Sequence, residues 1–244
     1  MLDYLKFSMD NRSKSVLYLI PTVISENSVA RVIPEYSKEI IKSLKFFISE
    51  DIRTTRRFLK NIDKTININE ILFFELNKHT KDEDISEYLN PCEKGESVGL
   101  ISEAGLPCIA DPGNIIVKIA HQKDIRIVPL SGPSSIFMAL MSSGFNGQNF
   151  AFNGYLPMDK TERYKKIKQL EQRSKYENQT QIFMETPFRN NKLFAELLSV
   201  LNSNTYLCVA ANITAEDEFI KTKKISDWKK VKYDFDKKNC IFII

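Results

Sequence analysis

Short apolar runs recur along the chain and alternate with stretches in which apolar residues return every three or four positions. Val16–Ile20 (VLYLI) and the runs at 45–49 (KFFIS), 71–76 (ILFFEL), 97–102 (SVGLIS) and 125–130 (IRIVPL) have the length and the β-branched or aromatic content of buried strands. Between them, about 27–44, from about 54 onward, 82–93 and about 114–121 read as helices, the first capped by Ser25 or Asn27. This β-α-β-α rhythm predicts a mostly parallel sheet with helices on both faces. In such sheets ligands bind beyond the carboxyl ends of the strands.

A second series starts at Ser131. The pattern predicts a helix over about 133–142 with Pro133 in its first turn, strands at 149–152, 181–185 and 205–210, and helices at 160–173 and 190–201. The late runs 218–222 and 240–244 read as antiparallel strands closing a second lobe. The natural split falls near residues 129–132. It leaves 1–14 as an N-terminal extension, 15–129 as an N-terminal α/β lobe and 130–244 as a C-terminal α/β lobe.

Composition narrows the class. With 244 residues and 43% hydrophobic content the chain can bury a core as one large domain or two small lobes. A net charge of +4 permits nucleic-acid binding without requiring it. The cysteines Cys92, Cys108, Cys208 and Cys240 are widely spaced and read as reduced, mostly buried thiols. His79 and His121 are far apart, so no metal site is expected. No apolar run has the length of a membrane span, and Asp3, Lys6, Asp10 and Arg12 interrupt the N-terminus, which does not read as a signal peptide. A cytoplasmic protein without membrane attachment is expected.

Three loops could carry chemistry. The segment 102–113, SEAGLPCIADPG, follows a strand and holds two glycines, two prolines and two acids. Its glycines admit backbone geometry or close approaches that a β-carbon would obstruct, and Pro107 and Pro112 stiffen it. It suits a flat or charged small ligand; the alternative is a connecting loop in which Asp111 caps the next helix. The segment 129–135, PLSGPSS, turns a strand into a helix through small residues and leaves amide donors free, unless it is only a capped turn. In 49–53, SEDIR, Glu50 and Asp51 stand at a strand end, and Arg53, Arg56 and Arg57 form a compact cationic patch; helix capping and solvated charge are the plainer alternative. The basic runs at 160–168 and 221–232, containing Tyr164 and Trp228, could contact RNA or simply be solvated faces. The motifs G-x-S-x-G, G-x-x-x-x-G-K-[ST] and G-x-G-x-x-G are absent.

Taken in order, these blocks resemble the tetrapyrrole methylase superfamily, and within it the branch of ribosomal RNA small-subunit methyltransferases that modify a cytidine 2′-hydroxyl. LYLIPTVISEN (17–27) sits where that branch has its first strand and turn, and SEDIRTTRR (49–57) is similar to its A-E-D-T-R element. SEAGLPCIADPG resembles S-D-A-G-T-P-x-x-x-D-P-G, PLSGPSS resembles P-L-P-G-P-S-A, GYLP (154–157) matches G-F-L-P, and METPFR (184–189) is similar to Y-E-S-P-H-R. The resemblance implies an α/β fold of two lobes, with a mostly parallel sheet in the N-terminal lobe, a mixed sheet in the C-terminal lobe and S-adenosylmethionine held between them, usually in a homodimer. Carried over by position, Ser102, Glu103, Ala104, Gly105, Ser131, Gly132, Pro133, Ser134 and Ser135 would line the cofactor site, with Met184 and Ala210 flanking it.

The sequence also departs from that pattern. Val23, Ile24 and Ser25 stand where T-P-I-G-N is usual, Glu103 replaces an Asp, and the R-E-L-T-K element appears as Ala211, Asn212, Ile213, Thr214 and Ala215. The resemblance is thus to a shortened, divergent member. It implies methyl transfer to a ribose hydroxyl of ribosomal RNA, with Glu50 or Asp51 as the base, Glu216 and Glu218 as secondary candidates, and Arg53, Arg56 and Arg57 holding phosphates. A methyltransferase acting on a tetrapyrrole or other small molecule is the alternative enzyme. A cofactor- or RNA-binding protein with impaired catalysis is the non-enzymatic one.

Overall fold

The computed structural model describes residues 15–26, 28–77 and 79–244. The expected extension at 1–14 and the candidate cap Asn27 lie outside the described residues. Two compact units emerge: Met1–Val23 with Val29–Pro133, and Ile24–Ser28 with Ser134–Ile244. Residues 130–133 group with the first unit because the Leu130 amide continues the strand ladder, donating to the Leu19 carbonyl at 3.0 Å. Residues 24–28 group with the second, where Ile24 packs in an apolar cluster and the Ser25 hydroxyl lies 2.7 Å from that of Thr214.

The first unit is built on five strands: β1 (Val16–Ile20), β2 (Phe46–Ser49), β3 (Leu72–Glu75), β4 (Val98–Ile101) and β5 (Arg126–Pro129). They lie in the order β3-β2-β4-β1-β5, every pair parallel. Alternate residues feed opposite faces, as the two-residue period of a strand requires. Phe47 and Ile101 pack with Ile41, Phe58 and Leu59, beneath helices α1 (Val29–Val32), α2 (Glu35–Ser43) and α3 (Ile52–Ile62). Ile48 and Leu100 pack with Ile85, Leu89, Ile116 and Ala120, beneath α4 (Asp82–Ile85), α5 (Asn90–Glu93) and α6 (Asn114–Gln122). Both faces are covered, which explains why these strands read as continuous apolar runs.

Two expected helices are broken. The stretch 27–44 splits into α1 and α2 at Pro34, which biases the residue before it away from helical geometry. The stretch 82–93 forms two single turns, α4 and α5, with Pro91 starting the second.

The second unit carries a mixed sheet of β6 (Phe150–Tyr155), β7 (Thr180–Met184), β8 (Tyr206–Ala211), β9 (Phe219–Lys224) and β10 (Cys240–Ile243), in the order β6-β7-β10-β8-β9. Only β6 and β7 run parallel. Helix α7 (Ser135–Ser143) lies on one face, over Ile182, Cys208, Ala210 and Ile241. Helices α8 (Lys160–Tyr176), α9 (Asn190–Val200) and α10 (Ile225–Trp228) pack with Phe183, Leu207, Val209 and Phe242 on the other. Helix α7 begins slightly later than expected, at Ser135: Ser134 is its N-cap, and Pro133 precedes the helix instead of opening it. Among the described residues no helix is long and apolar enough to cross a membrane.

A buried ion pair ties α8 to α9. Arg163 reaches both carboxylate oxygens of Glu196, with Nε to Oε2 at 2.6 Å and Nη2 to Oε1 at 2.8 Å. Its Nη1 donates to the carbonyls of Pro157 and Met158, which pins the end of the GYLP segment. The Arg163 hydrogen bonds hold the Glu196 carboxyl below its ordinary value despite burial. Removing one partner strands the other charge, a loss of about 3–5 kcal/mol. Glu196→Ala is therefore expected to lower the unfolding free energy measured in urea by that amount. Because the folded pKa is depressed, the pair's contribution is present above the unfolded carboxyl pKa and is lost as pH falls through the folded one. The acid limb of stability should accordingly be shallower in Arg163→Ala than in wild type.

Candidate functional site

The carboxyl edge of the parallel sheet gathers most of the sequence-predicted residues of the first unit. Ile20 and Ser49 both pair with Ile101, so the segments leaving β1, β2 and β4 start side by side. The loop after β4 is fastened to the end of β1 through one acceptor. The Gly105 carbonyl takes a hydrogen bond from the Thr22 amide at 2.9 Å and another from the Ser102 hydroxyl at 2.7 Å. The Thr22 and Ser102 hydroxyl oxygens lie 3.5 Å apart. Ser102 is buried, and Glu103 and Ala104 are exposed at the tip of the turn.

Three residues of this loop are left-handed: Gly105 (φ 74°), Cys108 (φ 66°) and Ala110 (φ 59°). Only the first is a glycine, so the other two are held against their preference. Asp111 does much of the holding. Its Oδ1 accepts from the Gly113 amide at 2.7 Å and the Cys108 amide at 3.3 Å. Cys108 is no nucleophile, since burial pushes its thiol up to about 11.

The turn after β5 closes onto β1. A β-carbon on Gly132 would lie 2.2 Å from Pro21 Cγ and 2.3 Å from Pro21 Cβ, so only glycine fits as the backbone stands. Ser131 is exposed beside it, and its carbonyl accepts a long hydrogen bond of 3.4 Å from Ser37 Oγ on α2; Pro133 is buried. Thr22 and Pro21 position both loops, and nothing in their spacing within the first-strand block marks these contacts.

Glu50 and Asp51 separate into different jobs. Asp51 is the N-cap of α3: its Oδ1 accepts from the Thr54 amide at 2.8 Å, and that hydrogen bond lowers its carboxyl pKa. The Glu50 carboxyl is raised, first by desolvation and then by the negative charges of Glu103, Asp111 and Asp51. Glu50 thus feels the negative charge of the glycine-bearing loop. On α3, Arg53, Arg56, Arg57 and Lys60 form one exposed stripe at helical spacing, opposite the buried Thr55, Phe58 and Leu59. Arg56 lies 5.2 Å over the Phe73 ring.

In the second unit, Ser134 caps α7 with a 3.5 Å hydrogen bond accepted from the Phe137 amide, and Ser135 follows at its first turn. Met184 and Ala210 occupy one row of the sheet, on either side of Ile241. Both pack in the apolar cluster under α7, and Ala210 is fully buried there. Where the resembled branch has R-E-L-T-K, residues 211–215 form a tight turn in which Asn212 (φ 49°) donates through Nδ2 to Asp217 and accepts through Oδ1 from the Asn239 amide. Glu218 accepts from the Thr214 amide at 2.8 Å, so it secures this turn, and Glu216 is exposed. Glu185 binds Arg189 and the Thr186 amide, making the METPFR turn a closed unit.

Gly132→Ala should lower stability by about 1–3 kcal/mol, as overpacking does in tight sites. Urea unfolding measures it. A wild-type midpoint would show that Pro21 yields freely and that the turn is not fixed by this contact.

The sequence profile of the tetrapyrrole (corrin/porphyrin) methylases matches residues 30–228. The chain is 32% identical over 232 residues to the ribosomal RNA small subunit methyltransferase I of Buchnera aphidicola subsp. Schizaphis graminum, covering 94% of this chain and 77% of the relative. It is 30% identical over 213 residues to the protein of that name from Escherichia coli O157:H7, covering 87% of this chain and 70% of the relative. Among solved structures, diphthine synthase superposes with a TM-score of 0.64 at 15% identity, over 94% of this chain and 89% of that one, a likeness of fold. By its sequence and by the architecture of both its sheets, the chain belongs to the tetrapyrrole methylase family.

Proposed function

We propose that this chain is an S-adenosylmethionine-dependent methyltransferase acting on small-subunit ribosomal RNA, at the ribose 2′-hydroxyl of a cytidine. The observation that carries the reading is the carboxyl edge of the parallel sheet. There the turn at Ser102, Glu103, Ala104 and Gly105 is locked to β1, the turn at Ser131, Gly132 and Pro133 closes onto β1 as well, and Glu50 at the end of β2 feels the negative charge of the first. The names of the relatives supply the acceptor class. The same reading carries a homodimer and a cytoplasmic location, both on the family resemblance alone.

The residues fit such a cofactor. A turn of small side chains, with Ala104 exposed beside a left-handed glycine, admits a flat adenosyl group close to the backbone, and the Glu103 carboxylate complements its positive charge. When bound, the cofactor supplies an electrophilic methyl group on a sulfonium. The protein's part is alignment of the acceptor oxygen and removal of its proton. Glu50 is the base: its raised carboxyl holds a proton more strongly than Asp51, whose oxygen is engaged in capping. Arg53, Arg56 and Arg57 hold phosphates of the acceptor strand.

Radiolabelled methyl transfer into a small-subunit ribosomal RNA transcript tests the assignment. Glu50→Gln should lower kcat by about 100-fold or more with calorimetric cofactor affinity unchanged. Since the base must be ionised and its pKa is raised, wild-type kcat should fall on acidification at a higher pH than an unperturbed glutamate would give. Asp51→Ala should instead cost about 1 kcal/mol of stability through the lost cap. Full turnover by Glu50→Gln would remove Glu50 from the chemistry, and absence of cofactor binding by folded wild type would remove the whole reading.

A further inference from the structure

The chain's two basic runs look equivalent in sequence and differ in the structure. On α8, Lys165 pairs with Glu162 at 2.9 Å, Lys168 with Glu171 at 3.0 Å and Arg173 with Glu177 at 3.2 Å. That helix neutralises its own cations, as a solvated face does. The run from Phe219 to Lys232 does not. It holds six lysines against one aspartate, a net +5 where the whole chain has +4, so all other residues together sum to −1.

The placement of these lysines is also unusual. β9 is the outer strand of its sheet, paired only with β8. Lys221 lies 5.7 Å over Phe219, and Lys224 lies 5.7 Å over the half-exposed Tyr206. Lys223 lies 5.4 Å over Trp228 and 5.2 Å over Tyr233, whose hydroxyl accepts its Nζ proton at 2.7 Å. Cation–π contacts occur roughly once per 70–80 residues, yet here three lysines in four consecutive positions make them. Among the described residues none of the three forms an ion pair with a carboxylate. Aromatic rings orient an ammonium without cancelling its charge, so these cations are pre-positioned and remain available to an anion. Lys229 and Lys232 extend the strip, both exposed, whereas Lys230 is engaged by Asp227.

We propose that the lysine strip of β9 and the segment following α10 docks the phosphodiester backbone of RNA, outside the base and cofactor residues assigned above. It rests on the reading of RNA as acceptor and adds a second, sequence-independent contact surface on the second unit. A repeating anion matches a strip whose six lysines face one carboxylate, Asp227, and such contacts position the strand without reading bases.

The test is the triple variant Lys221→Ala, Lys224→Ala, Lys229→Ala, which leaves the Lys223–Tyr233 contact intact. It is compared with the matching triple Lys→Arg variant and with Lys165→Ala, Lys168→Ala on α8. The readouts are KM for a small-subunit ribosomal RNA transcript and the salt dependence of its binding. The alanine triple should raise KM about tenfold and flatten the slope of log K against log salt by about 2, with kcat at saturating RNA held. The arginine triple should restore both, and the α8 variant should match wild type. If a folded alanine triple keeps wild-type KM and slope while wild type methylates the transcript, this surface alone is overturned. If wild type neither binds nor methylates the transcript, the acceptor assignment and this surface fall together.

Discussion

The carbonyl oxygen of Gly105 holds the carboxyl edge of the first unit's sheet in place. It is bound at once by the amide of Thr22, at the end of β1, and by the hydroxyl of Ser102, at the end of β4. A loop with three left-handed residues, two of them not glycine, pays roughly 1–3 kcal/mol at each strained position. It persists because these bonds and those to Asp111 over-determine it. The conformation sets where Glu103 and Ala104 are displayed and which charges Glu50 feels. Backbone hydrogen bonding, local strain and the acid–base character of the proposed base are thus one linked system.

The strands were legible because both faces of the parallel sheet are buried, and burial writes itself as unbroken apolar runs such as VLYLI. The helix 27–44 was misread as one element because its apolar period continues across Pro34, where the backbone cannot. Pro133, expected in the first turn of α7, precedes the helix and Ser134 caps it, because the local sequence suits either start and only the cap geometry decides. Asp51 shows the same ambiguity in the site. Its sequence position suits a base or a cap equally, and the short contact to the Thr54 amide distinguishes them.

Pairings between distant residues were not legible. Arg163 and Glu196 stand 33 positions apart with nothing local to mark them. Their pairing stabilises the packing of α8 on α9, while the arginine's remaining donors order the carbonyls of Pro157 and Met158. The lysines of α8 and β9 likewise look alike by composition. What separates them is whether glutamates fall within reach on the same face or aromatic rings do. The turn at 211–215 makes a related point. The charged element of the resembled branch is replaced by an amide-centred turn held by Asn212, Asp217 and Asn239, which keeps the backbone ordered without supplying an ionisable group. In the proposed function proton removal then falls to another group, and Glu50 is the carboxylate proposed for it.

The most direct test is the identity of the methylated nucleoside. Small-subunit ribosomal RNA from cells lacking the gene would be incubated with the purified protein and S-adenosylmethionine, digested, and its nucleosides resolved by mass spectrometry. The account predicts one new product, 2′-O-methylcytidine. A methyl group on a base, or none in the RNA but one on a small molecule such as a tetrapyrrole, would contradict it.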